Sequence, residues 1–160
     1  MRRSHLILTF LIVPLAVSSG CSGGNTVWIT GKLLKGGTPY VPPNDQLVTI
    51  TFVALELQGQ SGKPVQTGDP YLAEYDQARG TFTVPGPDRQ GIPPGKYRVA
   101  VTQKMKREAF DAAHPRPKRG VNRETDMLAD RFGIGTSPIF REVKRSQEVT
   151  IDLDRPTKSS

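Results

Sequence analysis

The chain has 160 residues, with 22 Lys or Arg against 15 Asp or Glu and a formal net charge of +7. It contains one cysteine and two histidines, one of which lies within the first five residues. A single cysteine excludes an intramolecular disulfide, and so few histidines and cysteines cannot build a zinc site of the usual nitrogen and sulfur ligands.

The first 20 residues show the three-part pattern of a secretory signal peptide. A basic start contains Arg2 and Arg3, an apolar run covers residues 6–17, and the small residues 18–20 follow. The apolar run has 12 residues, whereas a membrane-spanning helix needs about 20. We therefore expect a cleaved signal rather than a permanent transmembrane anchor.

Cys21 directly follows Ser18-Ser19-Gly20, an arrangement that resembles the signal of bacterial lipoproteins. In that family the cysteine thiol receives a diacylglyceryl group, and cleavage leaves this cysteine as the first residue. The resemblance implies lipidation of Cys21, export, and anchoring to a bacterial membrane through buried acyl chains, with the leaflet left open. Ser18 stands where the family usually has Leu. The alternative is a secreted protein cut near Gly20, with Cys21 left as a free thiol.

Removal of residues 1–20 would leave 140 residues and a net charge of +5, because Arg2 and Arg3 are lost. This length suits one domain with a sizeable core. Residues 21–25 are small and polar, as in a tether, and residues 154–160 are typical of a disordered tail. The predicted domain therefore covers residues 26–153.

Short apolar runs separated by Gly and Pro predict an all-β domain. Residues 26–34 place Val27, Ile29 and Leu33 on one face, and residues 96–103 alternate in the same way. The apolar run at 46–57 indicates a central strand. Two of the runs are expected to form a hairpin around residues 76–80. The seven predicted strands cover residues 26–34, 46–57, 71–75, 81–84, 96–103, 138–144 and 148–153.

Residues 104–137 carry no convincing strand pattern, and residues 58–70 are predicted to be a polar loop. Two short helices are expected in the longer segment, at 105–113 and at 124–131, with Asn122 as a cap for the second. A connection of this length is often functional or mobile.

Two turn motifs resemble those of carboxypeptidase regulatory-like domains. Residues 76–80 followed by Phe82 are similar to the D-x-x-G-x-F element, with one additional residue, and residues 92–99 are similar to P-x-G-x-Y-x-V. Residues 128–143 are also similar to the carboxyl-terminal part of small planctomycete lipoproteins. These resemblances imply a transthyretin-like β-sandwich of about seven strands, with a long, partly helical loop before the last two strands, and a noncatalytic role.

The residue types and motifs of the sequence favour neither an enzyme nor a cofactor-binding protein. His114 lies in a basic loop without a serine elbow elsewhere in the chain, so we expect it to be a solvated loop residue. The carboxylate pairs Glu74 with Asp76 and Asp152 with Asp154 lack a calcium-loop pattern and are expected to face solvent. No phosphate-binding glycine loop occurs in the sequence. We predict no catalytic residue, metal or cofactor.

The basic segment, residues 104–123, carries seven basic and two acidic side chains. We expect it to contact anionic lipid headgroups or acidic envelope polymers, where each basic residue contributes about 1 kcal/mol. The alternative is a solvated loop whose charges keep the domain soluble. Nucleic acid is not an expected partner for an exported, tethered protein. The candidate contact residues are Lys104, Lys106, Arg107, Arg116, Lys118, Arg119 and Arg123.

The sequence thus predicts a membrane-tethered lipoprotein of the cell envelope that acts as a noncatalytic binding or structural module. Its expected partners are the membrane, through the lipid anchor, and an envelope protein or acidic polymer. Two alternatives stay open. The protein is an accessory module that positions an envelope enzyme, or it binds carbohydrate by stacking sugars on the exposed rings of Trp28, Tyr40, Tyr71 and Tyr75.

Overall fold

The computed structural model describes residues 26–58, 63–66, 68–115 and 125–156. In this part of the chain, ten strands form two five-stranded sheets, and one short helix lies before the last two strands. Residues from both sheets meet in one hydrophobic core. The expectation of an all-β sandwich with a partly helical loop before the last two strands is confirmed.

The longer strands follow the apolar runs of the sequence, and shorter elements lie between them. The strands are β1 (Ile29–Lys35), β2 (Thr38–Pro39), β3 (Gln46–Gln58), β4 (Lys63–Gln66), β5 (Tyr71–Leu72), β6 (Glu74–Asp76), β7 (Thr81–Val84), β8 (Gly95–Met105), β9 (Phe140–Val143) and β10 (Gln147–Asp152), and the helix is α1 (Arg107–Ala113).

The first sheet has the order β10-β1-β7-β6, with β2 also paired to β1. β1 runs parallel to β10, with Ile29 opposite Gln147, and antiparallel to β7. β6 and β7 form the predicted hairpin, and its turn is closed by Asp76, whose Oδ1 accepts from the amides of Ala78 and Arg79 at 3.0 and 3.2 Å. Side-chain acceptors of this kind are why Asp favours turns.

The second sheet has the order β4-β3-β8-β9, with β5 also paired to β3. β3 and β8 form the longest ladder, which runs from Gln46 opposite Met105 to Leu55 opposite Lys96. β3 therefore has neighbours on both edges, which confirms its predicted central position.

The core lies between the sheets and consists of side chains that alternate along each strand. Ile29 and Leu33 of β1 are fully buried, as are Ile50 and Phe52 of β3. The Phe52 ring lies 6.1 Å from the Phe82 ring of the first sheet, centroid to centroid. Each such buried apolar side chain contributes about 1.5–3 kcal/mol.

Several predicted bounds were wrong, and short polar elements account for most of the differences. The loop predicted at 58–70 contains β4, and the strand predicted at 71–75 is divided into β5 and β6. Ala73 separates these two strands, since its amide donates to the Ile50 carbonyl at 2.9 Å and so stays attached to the second sheet. The helix predicted to start at 105 starts at Arg107, because Met105 still belongs to β8.

The helix predicted at 124–131 was also wrong for its described part, because residues 127–131 form turns. Asp126 is buried, and its Oδ1 accepts from the amides of Gln103 and Leu128 at 2.8 and 3.1 Å. Ala129 and Asp130 both have φ of 54°, a left-handed conformation that an α-helix excludes. The carboxylate thus offers the backbone an alternative to helical bonding.

Residues 126–139 cover the part of β8 that β9 does not reach. β9 pairs only with Gly95–Arg98, and beyond it the amides of Val99 and Val101 donate to Ile139 and Phe132, each at 2.9 Å. An uncovered strand edge is a template for aggregation. This segment therefore completes the second sheet.

Replacement of Gly31 with Ala should destabilise the protein by about 3 kcal/mol, since an added Cβ would overlap the Val149 carbonyl oxygen and the Phe82 ring. Urea unfolding checks this. Gly135→Ala is the matched control, because a Cβ there meets nothing within 4 Å. Equal unfolding midpoints for the two variants would contradict the packing described for β1.

Candidate functional site

The predicted lipidation residue, Cys21, lies outside the described residues, so its acylation stays a prediction. The described chain begins at Thr26, and Val27 is already paired with Ile92 by two backbone hydrogen bonds of 2.8 and 3.0 Å. Among the described helices, none is long and apolar enough to cross a membrane.

The basic segment is described only in part. Lys104 is a half-buried residue near the end of β8, Lys106 follows β8, and Arg107 begins α1. The other four candidate residues lie outside the described residues, and they are Arg116, Lys118, Arg119 and Arg123.

Two of the described cations of the basic segment have structural partners. Lys106 Nζ donates to the Asn44 carbonyl at 2.7 Å, and its amide donates to the Asp45 carbonyl at the same distance. Arg107 Nε lies 3.7 Å from Asp111 Oδ2 on the exposed surface of α1. The two Lys106 bonds attach the start of the helix to the loop before β3, so the contact surface predicted for residues 104–123 depends on its undescribed part.

His114 is not the freely solvated loop residue that the sequence suggested. It is half-buried, its ring stacks on Phe110 at 4.6 Å between centroids, and its amide donates to the Phe110 carbonyl at 2.8 Å. His114 therefore ends α1. Among the described residues, no group of three or more His, Cys, Asp or Glu side chains could hold a metal ion.

The two predicted carboxylate pairs lie at strand ends, where each has a structural partner. Glu74 is exposed and lies 3.2 Å from Arg89 Nη2, while Asp76 closes the β6–β7 turn. At the other pair, Asp154 Oδ2 accepts from the Gly36 amide at 2.6 Å. This bond ties the end of the domain to β1, so ordered structure includes Asp154, where the sequence predicted the start of a tail.

The four aromatic residues considered for sugar stacking do not share one surface. Tyr75 donates its hydroxyl to the Tyr40 carbonyl, and the Tyr71 ring lies 6.1 Å from the Tyr97 ring in an edge-on contact. These tyrosines are largely packed into the domain. Trp28 differs, because it is 47% exposed and lies at the start of β1.

Two tyrosines are held in their protonated form by their surroundings. Burial raises the pKa of Tyr97 to about 12, and Tyr71 adds to the shift. Burial also raises the pKa of Tyr75 to about 12, with smaller contributions from Tyr40 and Asp76. The Tyr97 hydroxyl donates to the Pro93 carbonyl at 2.5 Å. The protonated phenol thus fixes the segment that leads into β8.

The surface at the start of β1 collects residues that are far apart in the sequence. The Trp28 carbonyl accepts a hydrogen bond from the Gln147 amide at 3.1 Å, and the Trp28 amide donates one to Ser146 Oγ at 3.0 Å. Because Val27 pairs with Ile92, and Gly95 lies opposite Val143, β1, β8 and β10 all begin at this end. We call it the Trp28 end, and it comprises Trp28, residues 85–96 and residues 142–146.

The Trp28 end is basic. Residues 85–96 and 142–146 carry four basic and two acidic side chains. Lys96 and Arg145 are exposed and form no ion pair with any part of the chain that the structure describes. The other two cations pair with acids, Arg89 with Glu74 and Lys144 with Glu142 at 3.3 Å.

Sequence reasoning missed this cluster, because only strand pairing brings residues 28, 96 and 145 together. The one local signal was the alternation that leaves Trp28 on the outer face between Val27 and Ile29. We call the opposite end the helix end, and it comprises residues 40–46 and 104–115. It lies about 35 Å away, the length of the 11 residues of β8 at about 3.3 Å per residue.

No protein-family model, curated protein or solved structure matches this chain. The fold and the surfaces described above therefore carry the functional argument.

The free energy of unfolding should fall as the pH rises from 10 to 12. An unfolded tyrosine loses its proton near pH 10, whereas folded Tyr75 and Tyr97 keep theirs up to about pH 12. The folded state therefore binds more protons in this window, and the stabilisation, complete below pH 10, is lost through it.

Urea unfolding of wild type and of Tyr97→Phe at several pH values tests this prediction. At pH 8 the free energy of unfolding of the variant should be about 1 kcal/mol lower than that of wild type, because the variant lacks the hydroxyl that donates to the Pro93 carbonyl. It should also show a smaller decline between pH 10 and 12. The lysine contribution to the slope is common to both proteins. An unchanged slope in the variant would contradict the raised pKa of Tyr97.

Proposed function

We propose that this protein is a lipoprotein anchored to a bacterial membrane, and that its β-sandwich is a noncatalytic binding or structural module of the cell envelope. The observation that carries the proposal is Cys21, the single cysteine, placed directly after a basic start, a 12-residue apolar run and three small residues. This order of residues is that of a secretory signal and resembles the signal of bacterial lipoproteins.

The start of the domain fits an anchor at Cys21. Four residues, 22–25, separate Cys21 from Thr26, and a fully extended chain spans at most about 3.6 Å per residue. Thr26 would thus lie within about 18 Å of the acylated cysteine. An anchor at Cys21 would hold the sandwich by its Trp28 end.

The contacts of the polar side chains support a noncatalytic role. Asp76 closes a turn, Asp154 binds the end of β1, and His114 stacks on Phe110. Each of these side chains stabilises local structure. The motifs similar to carboxypeptidase regulatory-like domains also lie at structural positions, since Gly80 has φ of 67° in the hairpin turn and Tyr97 is buried.

The helix end is the surface that we propose for a partner. With the Trp28 end held near the membrane, the described part of the basic segment, residues 104–115, would lie at the opposite end. The net charge of +5 of the whole segment, residues 104–123, fits an acidic envelope polymer or an acidic protein surface. Such a partner would lie beyond the lipid headgroups rather than among them.

Replacement of Cys21 with Ala should abolish incorporation of radiolabelled palmitate and release the protein from the membrane fraction, because the acyl chains supply its membrane affinity. Labelling of cells that express each variant checks this. Ser22→Ala is the matched control and should label as wild type does. Continued labelling of the Cys21→Ala variant would refute acylation at this residue.

Neutralisation of the basic segment should weaken binding to acidic polymers. Substitution of Arg116, Lys118, Arg119 and Arg123 with Gln should lower the salt concentration that elutes the protein from an immobilised acidic polysaccharide, since each charge contributes about 1 kcal/mol near such a surface. The matched control carries Gln at four basic positions outside the segment, all of them exposed, namely Lys32, Lys35, Arg79 and Arg155. Equal elution of the two variants would contradict a specific role for the basic segment.

A further inference from the structure

We propose that the Trp28 end of the sandwich lies against the surface of an anionic lipid bilayer, so that the domain stands upright on the membrane. This inference rests on the proposed function, since the anchor at Cys21 brings this end to the membrane. Its supports are the length of the link, the exposed tryptophan and the local charge.

The length of the link restricts which part of the domain reaches the bilayer. Thr26 lies within about 18 Å of the anchor, and Val27 is fixed to Ile92 by two backbone hydrogen bonds. The strands then carry the chain away from this point, and β8 alone spans 11 residues, or about 35 Å. The Trp28 end is therefore the part of the domain closest to the anchor.

Trp28 has the chemistry of a membrane-interface residue. It is the one tryptophan of the chain, and 47% of its surface is exposed although it lies between buried Val27 and Ile29. Tryptophan side chains concentrate at the level of the lipid headgroups, where an apolar ring and a polar N–H are both accommodated.

The charges of the Trp28 end are complementary to anionic lipids. Lys96 and Arg145 are exposed and form no ion pair with the described part of the chain, and each basic residue near an anionic membrane strengthens binding about fivefold. Arg89 and Lys144 pair with Glu74 and Glu142 through side chains that are 79% and 76% exposed. Because such exposed ion pairs are weak, headgroup phosphates can replace the carboxylates as partners of Arg89 and Lys144.

The other described surfaces fit this partner less well. On the outer face of the first sheet, the acidic side chains Glu74, Asp76 and Glu148 each pair with a basic side chain, namely Arg89, Arg79 and Lys32. Charges that balance in this way give anionic lipid no net attraction to this face. At the helix end, Lys106 already donates to Asn44. An upright domain that rests on the Trp28 end is the orientation that these charges favour.

Fluorescence of the single tryptophan tests the inference directly. The acylated protein, purified from bacterial membranes, is reconstituted into vesicles of phosphatidylethanolamine and phosphatidylglycerol, with and without brominated acyl chains. Contact predicts that brominated lipid quenches Trp28 emission by about twofold and that the emission maximum lies at a shorter wavelength than in detergent.

A second reporter position provides the matched control. The variant Trp28→Phe with Leu47→Trp moves the single tryptophan next to the helix end, to a residue that is 49% exposed and lies opposite Lys104. Its emission should be the same in brominated and unbrominated vesicles. Quenching of both reporters to the same extent would overturn the upright orientation.

Charge variants test the role of the basic residues. Lys96→Gln with Arg145→Gln should raise the quenching of Trp28 by aqueous acrylamide, an uncharged quencher, in these vesicles, whereas Arg107→Gln with Arg155→Gln at the other end should not. All four side chains are exposed, and urea unfolding midpoints equal to that of wild type verify folding. Identical acrylamide quenching in both pairs would overturn the charge contact.

Flotation of the vesicles separates this inference from the proposed function. If the protein floats with the vesicles but Trp28 shows no quenching by brominated lipid, the contact is refuted and the anchor stands. If the purified protein carries no acyl chain and does not float, the proposed function is refuted, and the inference fails with it.

Discussion

The contacts that the Phe52 ring makes across the core are the interaction on which the sandwich depends. Phe52 belongs to the second sheet, and its ring lies 6.1 Å from Phe82 in the first sheet and 6.2 Å from Tyr97 on the neighbouring strand. Phe82 has room for its ring because Gly31, directly opposite on β1, carries no side chain. One glycine thus allows three rings to pack, and their burial joins the two sheets.

The same packing fixes the two ends of the domain. Tyr97 lies beside Phe52 and donates its hydroxyl to Pro93, so the chain must enter β8 beside the point where Val27 pairs with Ile92. The start of β1 and the start of β8 are therefore held together, and α1 is carried to the opposite end. The separation of an exposed tryptophan from a basic helical segment is a consequence of core packing.

Alternating apolar residues were enough to predict the main strands. The strand predicted at residues 81–84 has the same bounds as β7, and the one predicted at 46–57 matches β3 to within one residue. The errors came from interactions between distant residues. Asp126 forms a turn because its carboxylate binds the amide of Gln103, and the sequence around 126 shows only helical propensity. The Trp28 end was missed for the same reason, whereas the pattern around Cys21 is local and could be seen in the sequence alone.

The length of β8 acquires a further meaning if the domain is anchored at Cys21. An upright sandwich about 35 Å tall on a link of at most about 18 Å would keep residues 104–115 within about 50 Å of the lipid surface. The strands would act as a spacer of fixed height, and the anchor would confine the protein to two dimensions. Encounter with a partner would then depend on the layer of the envelope in which the partner resides, because a binding surface at fixed height samples only that layer.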